Sequence, residues 1–96
     1  MPKYQLIYTA KARRDLVEVV ENVVDYTCSL ESGVRLFSAL RSKIALLADM
    51  PEGIGRVRDD GKREAFCRGY RIVYRIEKDT VYILTILHSR MLYPRS

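Results

Sequence analysis

The stretch from Gly69 to Leu87 constrains this chain most, because its hydrophobicity alternates with the period of a strand, breaks once, and then resumes. Tyr70, Ile72, Tyr74 and Ile76 fall on one side, and Arg71, Val73 and Arg75 on the other. The polar run Glu77-Lys78-Asp79-Thr80 interrupts the pattern. Val81 to Leu87 is apolar or β-branched on both sides, as an interior strand requires. This predicts a β-hairpin with Lys78-Asp79 as a two-residue turn. With that turn Tyr70, Ile72, Tyr74 and Ile76 pair with Leu87, Thr85, Ile83 and Val81 to form the core face. Arg71, Val73 and Arg75 then oppose Ile86, Leu84 and Tyr82. His88 and Arg90 continue the second parity, so this register gathers Arg71, His88 and Arg90 at one end, and a slip of one residue disperses them.

The rest of the chain supplies what such a hairpin must pack against. Residues 3 to 8 read as a short strand. Thr9 is placed to cap a helix whose apolar positions Leu16, Val19, Val20, Val23 and Val24 recur at three and four. Thr27-Cys28-Ser29 breaks it, and Ser29 or Ser32 caps a second helix with Val34, Phe37, Leu40, Ile44 and Leu47 as its buried face. Two such helices joined by a short connection form an antiparallel hairpin that one sheet face can cover. Pro51, Gly53 and Gly55 end the second helix. Residues 56 to 61 read as a weakly structured basic approach to a strand over 62 to 68. The order predicts an α+β domain spanning residues 1 to 96: an N-terminal strand, a two-helix hairpin, then a three-stranded antiparallel sheet, with both helices on one face.

Composition narrows the function. With 96 residues the chain holds one core, and 17 basic against 12 acidic residues leave a net charge of +5. The excess concentrates between 56 and 75, where Arg56, Arg58, Lys62, Arg63, Arg68, Arg71 and Arg75 face only Asp59, Asp60 and Glu64. An anionic partner is expected there, with plain solvation as the alternative. Cys28 and Cys67 lack metal-ligand spacing and read as reduced thiols of a cytoplasmic protein. The N-terminus lacks the pattern of a secretory signal, and no run approaches the roughly 18 apolar residues that span a bilayer, so no membrane role is expected. There is no phosphate loop, no serine nucleophile elbow and no zinc cluster, so no cofactor or metal is implied.

One constellation does carry chemistry. An imidazole, guanidiniums and a phenol, here His88, Arg71, Arg90 and Tyr93, are the equipment of a metal-independent ribonuclease, with His88 as acid and Tyr93 as second acid or stacking platform. A surface or hydrogen-bonded structural histidine is the competing reading of His88. For Arg71 and Arg75 the alternative is a solvated sheet face, or ion pairs with Glu64 or Glu77.

Across nearly its whole length the chain resembles the RelE/ParE superfamily of bacterial toxins. The residues that carry the resemblance are Tyr8 to Leu16, Leu46 to Gly55, Arg63-Glu64, Gly69-Tyr-Arg-Ile-Val-Tyr-Arg-Ile76, and Ile83-Leu-Thr-Ile-Leu-His-Ser-Arg-Met91. The resemblance implies a small type II toxin neutralised by a cognate, ParD-like antitoxin whose segment wraps the helices or the sheet face. It also implies one of two targets. The RelE-like branch cleaves messenger RNA on the ribosome, and Arg71 matches the arginine of its Gly-Tyr-Arg motif, with Arg90 and Tyr93 standing for its C-terminal arginine and tyrosine. The lysine pair of that branch is absent from Lys62-Arg-Glu-Ala-Phe-Cys-Arg68. Leu87-His-Ser-Arg-Met91 and the paired helices look more like the ParE branch, which poisons DNA gyrase without catalysis. The expected contacts with target or partner are Arg71, Arg75, His88, Arg90 and Tyr93. A binding module without toxicity is the third reading.

Overall fold

The computed structural model describes residues 4–89 of the chain. Strand β1 (Gln5–Tyr8) leads into α1 (Ala10–Thr27) and α2 (Leu30–Asp49), followed by a short α3 (Pro51–Ile54). Four further strands follow: β2 (Arg56–Val57), β3 (Arg63–Cys67), β4 (Tyr70–Glu77) and β5 (Thr80–His88). The sheet has the order β1-β5-β4-β3-β2. β1 runs parallel to β5 and every other neighbour pair is antiparallel. The class is the expected α+β, with two additions. The basic approach contributes a two-residue edge strand at Arg56–Val57, and the loop expected after Pro51 is a single helical turn in which proline occupies the first position, where no amide is needed.

Local chemistry sets the helix boundaries. The Thr9 hydroxyl accepts from the amide of Ala12 at 3.1 Å, and Ser29, not Ser32, caps α2 by accepting from the Ser32 amide at 3.1 Å. Cys28 closes α1 in the left-handed region at φ 55°. Leu16 and Val19 of α1 are buried as expected, and so is Ala12. In α2 the buried positions are Gly33, Leu36, Leu40, Ile44, Leu47 and Ala48. Val34 and Phe37, expected in the core, are 56 % and 38 % exposed. The cause is Gly33. A β-carbon there would collide with a Val24 methyl and lie 3.3 Å from Val20 Cγ1, so the helices meet at Gly33 and α2 is rotated to bring that face against α1.

The hairpin forms with its two-residue turn, Glu77 pairing Thr80 around Lys78 at φ 57°. Pairing runs as expected through Ile76–Val81, Arg75–Tyr82 and Tyr74–Ile83, then jumps to Val73–Thr85, leaving Leu84 as a bulge. From there each pairing differs by one residue from the simple register: Ile72 meets Ile86 and not Thr85, Arg71 meets Leu87, and Tyr70 meets His88. The bulge lets Ile83 and Ile86, three positions apart, both enter the core with Ile72, Tyr74, Leu40 and Ile44. The Thr9 hydroxyl lies 3.0 Å from the Ile83 carbonyl and 3.1 Å from that of Leu84, which satisfies the bulged backbone from the α1 cap.

β1 covers β5 only as far as Ile83. Beyond it Asp15 of α1 takes over the edge. Its Oδ2 accepts from the Ile86 amide at 3.2 Å and from the Thr85 hydroxyl, while Lys11 Nζ pairs with it at 3.0 Å. A carboxylate thus supplies the acceptor that a longer strand would have supplied.

Candidate functional site

The face of the sheet away from the helices is built by alternation. Opposite Ala65, Ile72 and Ile86, which enter the core, β3 presents Glu64 and Phe66, β4 presents Arg71, Val73 and Arg75, and β2 presents Arg56. Glu64 is buried at 6 % exposure, and three guanidiniums converge on it. Arg56 reaches its Oε1 at 3.0 Å, Arg58 its Oε2 at 3.0 Å, and Arg71 Nε lies 3.4 Å from Oε2. Arg71 also donates to the Ser89 carbonyl at 2.7 Å, which ties β4 to the end of β5. The Phe66 ring packs against two of these cations, with Arg56 5.2 Å and Arg71 5.6 Å from its centroid.

Arg58 also pairs with Asp60 at 3.3 Å. Desolvation pushes the Asp60 carboxyl up, but the Lys62 amide and the Arg58 guanidinium outweigh it and hold the group below its ordinary value. Arg63 turns to the other face and donates to the carbonyls of Pro51, Glu52 and Gly55 around α3. Arg75 lies 4.2 Å over the Tyr82 ring and pairs with Glu77. Much of the positive charge expected to meet an anionic partner between 56 and 75 is therefore engaged inside the fold.

Arg71 and His88 do not share one face as the simple register implied. Because of the bulge at Leu84, His88 pairs with Tyr70 on the helix side of the strand, and their rings meet edge to face at 5.6 Å. Arg71 pairs with Leu87 on the opposite side. Arg90 and Tyr93 lie outside the described residues. The alternatives weighed for Arg71 and Arg75, ion pairs with Glu64 and Glu77, are both present. What sequence reasoning missed is the depth of Glu64. Its parity with Val73, which pairs with it and is fully buried, was the available signal.

Two phenols are drawn out of water, Tyr74 fully buried and Tyr8 partly so. Burial pushes Tyr74 up against the opposing pull of Arg63, and burial pushes Tyr8 up against Arg41. The thiols of Cys28 and Cys67 are not bonded to one another. Among the described residues no group of histidine, cysteine or carboxylate side chains is arranged to hold a metal ion, and no helix is long and apolar enough to cross a membrane. A second surface feature runs along the outside of the helix hairpin, where Tyr26, Leu30, Val34 and Phe37 are all exposed, with Arg41 lying 5.5 Å over the Phe37 ring.

A strand, a helix hairpin and a mixed sheet whose outer face carries arginines make up an α+β fold that matches the ParE/RelE fold. The chain belongs to the ParE toxin family of type II toxin–antitoxin systems, parDE, whose family model matches residues 6–93. Two solved structures share its fold. A chain of the chromosomal ParDE toxin–antitoxin system of P. aeruginosa superposes with a TM-score of 0.80 at 20 % identity, over 90 % of this chain and 96 % of that one. A chain of the RelBE2 toxin–antitoxin complex from Mycobacterium tuberculosis gives 0.64 at 28 % identity, over 92 % of this chain and 99 % of that one. No curated relative matches by sequence. The protein is a toxin of a type II toxin–antitoxin system within the RelE/ParE superfamily.

Proposed function

We propose that this toxin acts in the cytoplasm by binding DNA gyrase and arresting replication, without covalent chemistry of its own, and that a cognate ParD-like antitoxin neutralises it. The ParE family match over residues 6–93 supports the branch. The observation that carries the non-catalytic reading is the separation of Arg71 from His88 on opposite faces of the hairpin, with the Arg71 guanidinium drawn to Glu64 and Ser89. General acid catalysis and electrostatic stabilisation must meet at one phosphate, and groups on opposite faces do not.

The antitoxin reading rests on the exposed apolar row Tyr26, Leu30, Val34 and Phe37 on the helix hairpin, with Arg41 over the Phe37 ring, in a chain of net charge +5. An acidic segment that folds on binding would cover it, gaining apolar burial and charge complementarity together. Purified toxin is expected to inhibit supercoiling by gyrase in a dose-dependent way, and full supercoiling at saturating toxin refutes the target. Thymidine incorporation should stop before methionine incorporation after induction in cells. The reverse order, together with loss of toxicity in the Arg71→Ala, His88→Ala double variant, moves the assignment to a ribosome-dependent ribonuclease.

A further inference from the structure

The outer sheet face combines features that bind nucleic acid elsewhere with one that forbids it. Arginines with fixed forks hold phosphates, and an aromatic ring on a sheet stacks a base. Arg56, Arg58 and Arg71 around Phe66 match that composition, yet the point on which they converge is occupied by Glu64. Arg71 Nε is buried and, among the described residues, has no hydrogen-bond partner; it faces Glu64 at 3.4 Å, too poorly aligned to bond. Three guanidiniums against Glu64 and Asp60 leave one net positive charge, and removing Glu64 would leave two.

We propose that Glu64 is the specificity-determining residue of this face, a built-in carboxylate that occupies a phosphate-binding site and keeps single-stranded nucleic acid away from Arg71. The carboxylate cannot step aside. Glu64 lies in β3, paired with Arg56 on one side and Val73 on the other, and is almost fully enclosed. A phosphodiester approaching Arg71 therefore meets a guanidinium whose charge is already opposed by a fixed carboxylate of the phosphate's own sign. The proposal deepens the non-catalytic reading by giving one reason why RNA would not be held. Its test does not involve gyrase, so a failure of the gyrase target leaves the result on RNA standing, and the reverse.

The experiment compares the wild type, Glu64→Gln and Glu64→Asp for binding to a short fluorescent oligouridylate, with Glu18→Gln on α1 as a charge-matched control and melting curves confirming that each is folded. Glu64→Gln keeps the shape and a carbonyl acceptor while deleting the charge. Its affinity is expected to rise about tenfold over the control, the scale of one charge-assisted hydrogen bond. The plot of log K against log salt should steepen by about 0.7 for each phosphate gained. Adding Arg71→Ala to Glu64→Gln should abolish the gain, which a general change in charge would not do. If Glu64→Gln does not fold, Glu64→Asp decides, since the shorter carboxylate withdraws from the guanidiniums and should give a smaller gain through the same arginine. Binding no tighter than that of Glu18→Gln in every folded Glu64 variant, or a gain that survives Arg71→Ala, overturns the proposal.

Discussion

Replacing Gly55 with alanine should be among the most damaging small changes available in this domain, although its backbone permits it. Gly55 has φ −93° and ψ 175°, extended geometry that alanine adopts freely, so no torsional cost arises. The cost is overlap. A β-carbon at Gly55 would sit 2.7 Å from Cζ and 2.8 Å from Cε1 of Tyr74, and closer still to its hydroxyl. Tyr74 has no room to retreat, since it is fully buried and its hydroxyl donates to the Pro51 carbonyl. Forced overpacking costs about 1–3 kcal/mol, and a pinned ring belongs at the upper end. Breaking the Tyr74–Pro51 bond adds about 1 kcal/mol. At roughly 4–8 °C per kcal/mol for a domain of this size, 3 kcal/mol alone lowers Tm by roughly 12–24 °C. Gly53→Ala is the internal control. The nearest atom to its new β-carbon is Met50 Cβ at 3.7 Å, ordinary contact, and alanine in α3 is neutral or stabilising by up to about 1 kcal/mol. Thermal melts followed by circular dichroism compare the two. Equal melting temperatures would refute the packing argument. On a Tyr74→Phe background, where the hydroxyl is gone but Cζ remains, the Gly55→Ala penalty should shrink without vanishing.

Asp15→Ala should cost about 1–3 kcal/mol by leaving the Ile86 amide without its acceptor, with faster hydrogen exchange at Ile86, while Asp15→Asn, which retains a carbonyl oxygen, should recover most of it. Alkaline stability should fall as pH rises. Tyr74 and Tyr8 have folded values raised above the ordinary 10.0, so their contribution is complete below that pH and is lost as pH climbs through the raised values; Tyr74→Phe should flatten this limb in melts run across the range. At the acid end Asp60 behaves oppositely. Its folded value is depressed, so its contribution is present above the ordinary carboxylate range and lost as pH falls through the depressed value, and Asp60→Asn should remove that part of the acid dependence. Leu30→Glu, at a position 74 % exposed in the first turn of α2, should change stability by no more than about 0.5 kcal/mol yet weaken binding of the cognate antitoxin at least about tenfold in calorimetry; unchanged affinity would remove the helix hairpin from that interface.

The arginine-rich face shows how far a sequence reading reaches. The parity of Arg71 and Arg75 was legible, and so were their partners, because alternation puts Glu64 on the same face of the adjacent strand and Glu77 two residues along the same strand. The convergence of Arg56 and Arg58 on the same carboxylate was not, since it requires β2 to fold back along β3. The His88 placement failed for a different reason. The turn formed as expected, and the register still slipped, because a bulge at the fifth residue of β5 leaves no mark in a run of uniformly β-forming residues.

By itself the sequence determined what depends on near neighbours: the hairpin turn, the cap at Thr9, the stop at Pro51, and the core stripe of Ile72 and Tyr74. Tertiary structure decided the parallel pairing of β1 with β5, the rotation of α2 that exposes Val34 and Phe37, and the bulge at Leu84 that parts His88 from Arg71. Caps and turns are settled by hydrogen bonds and torsions within a few residues. The bulge and the helix rotation minimise unpaired backbone and wasted volume across the whole core, where Thr9, Leu84, Gly33 and Val24 must be satisfied together.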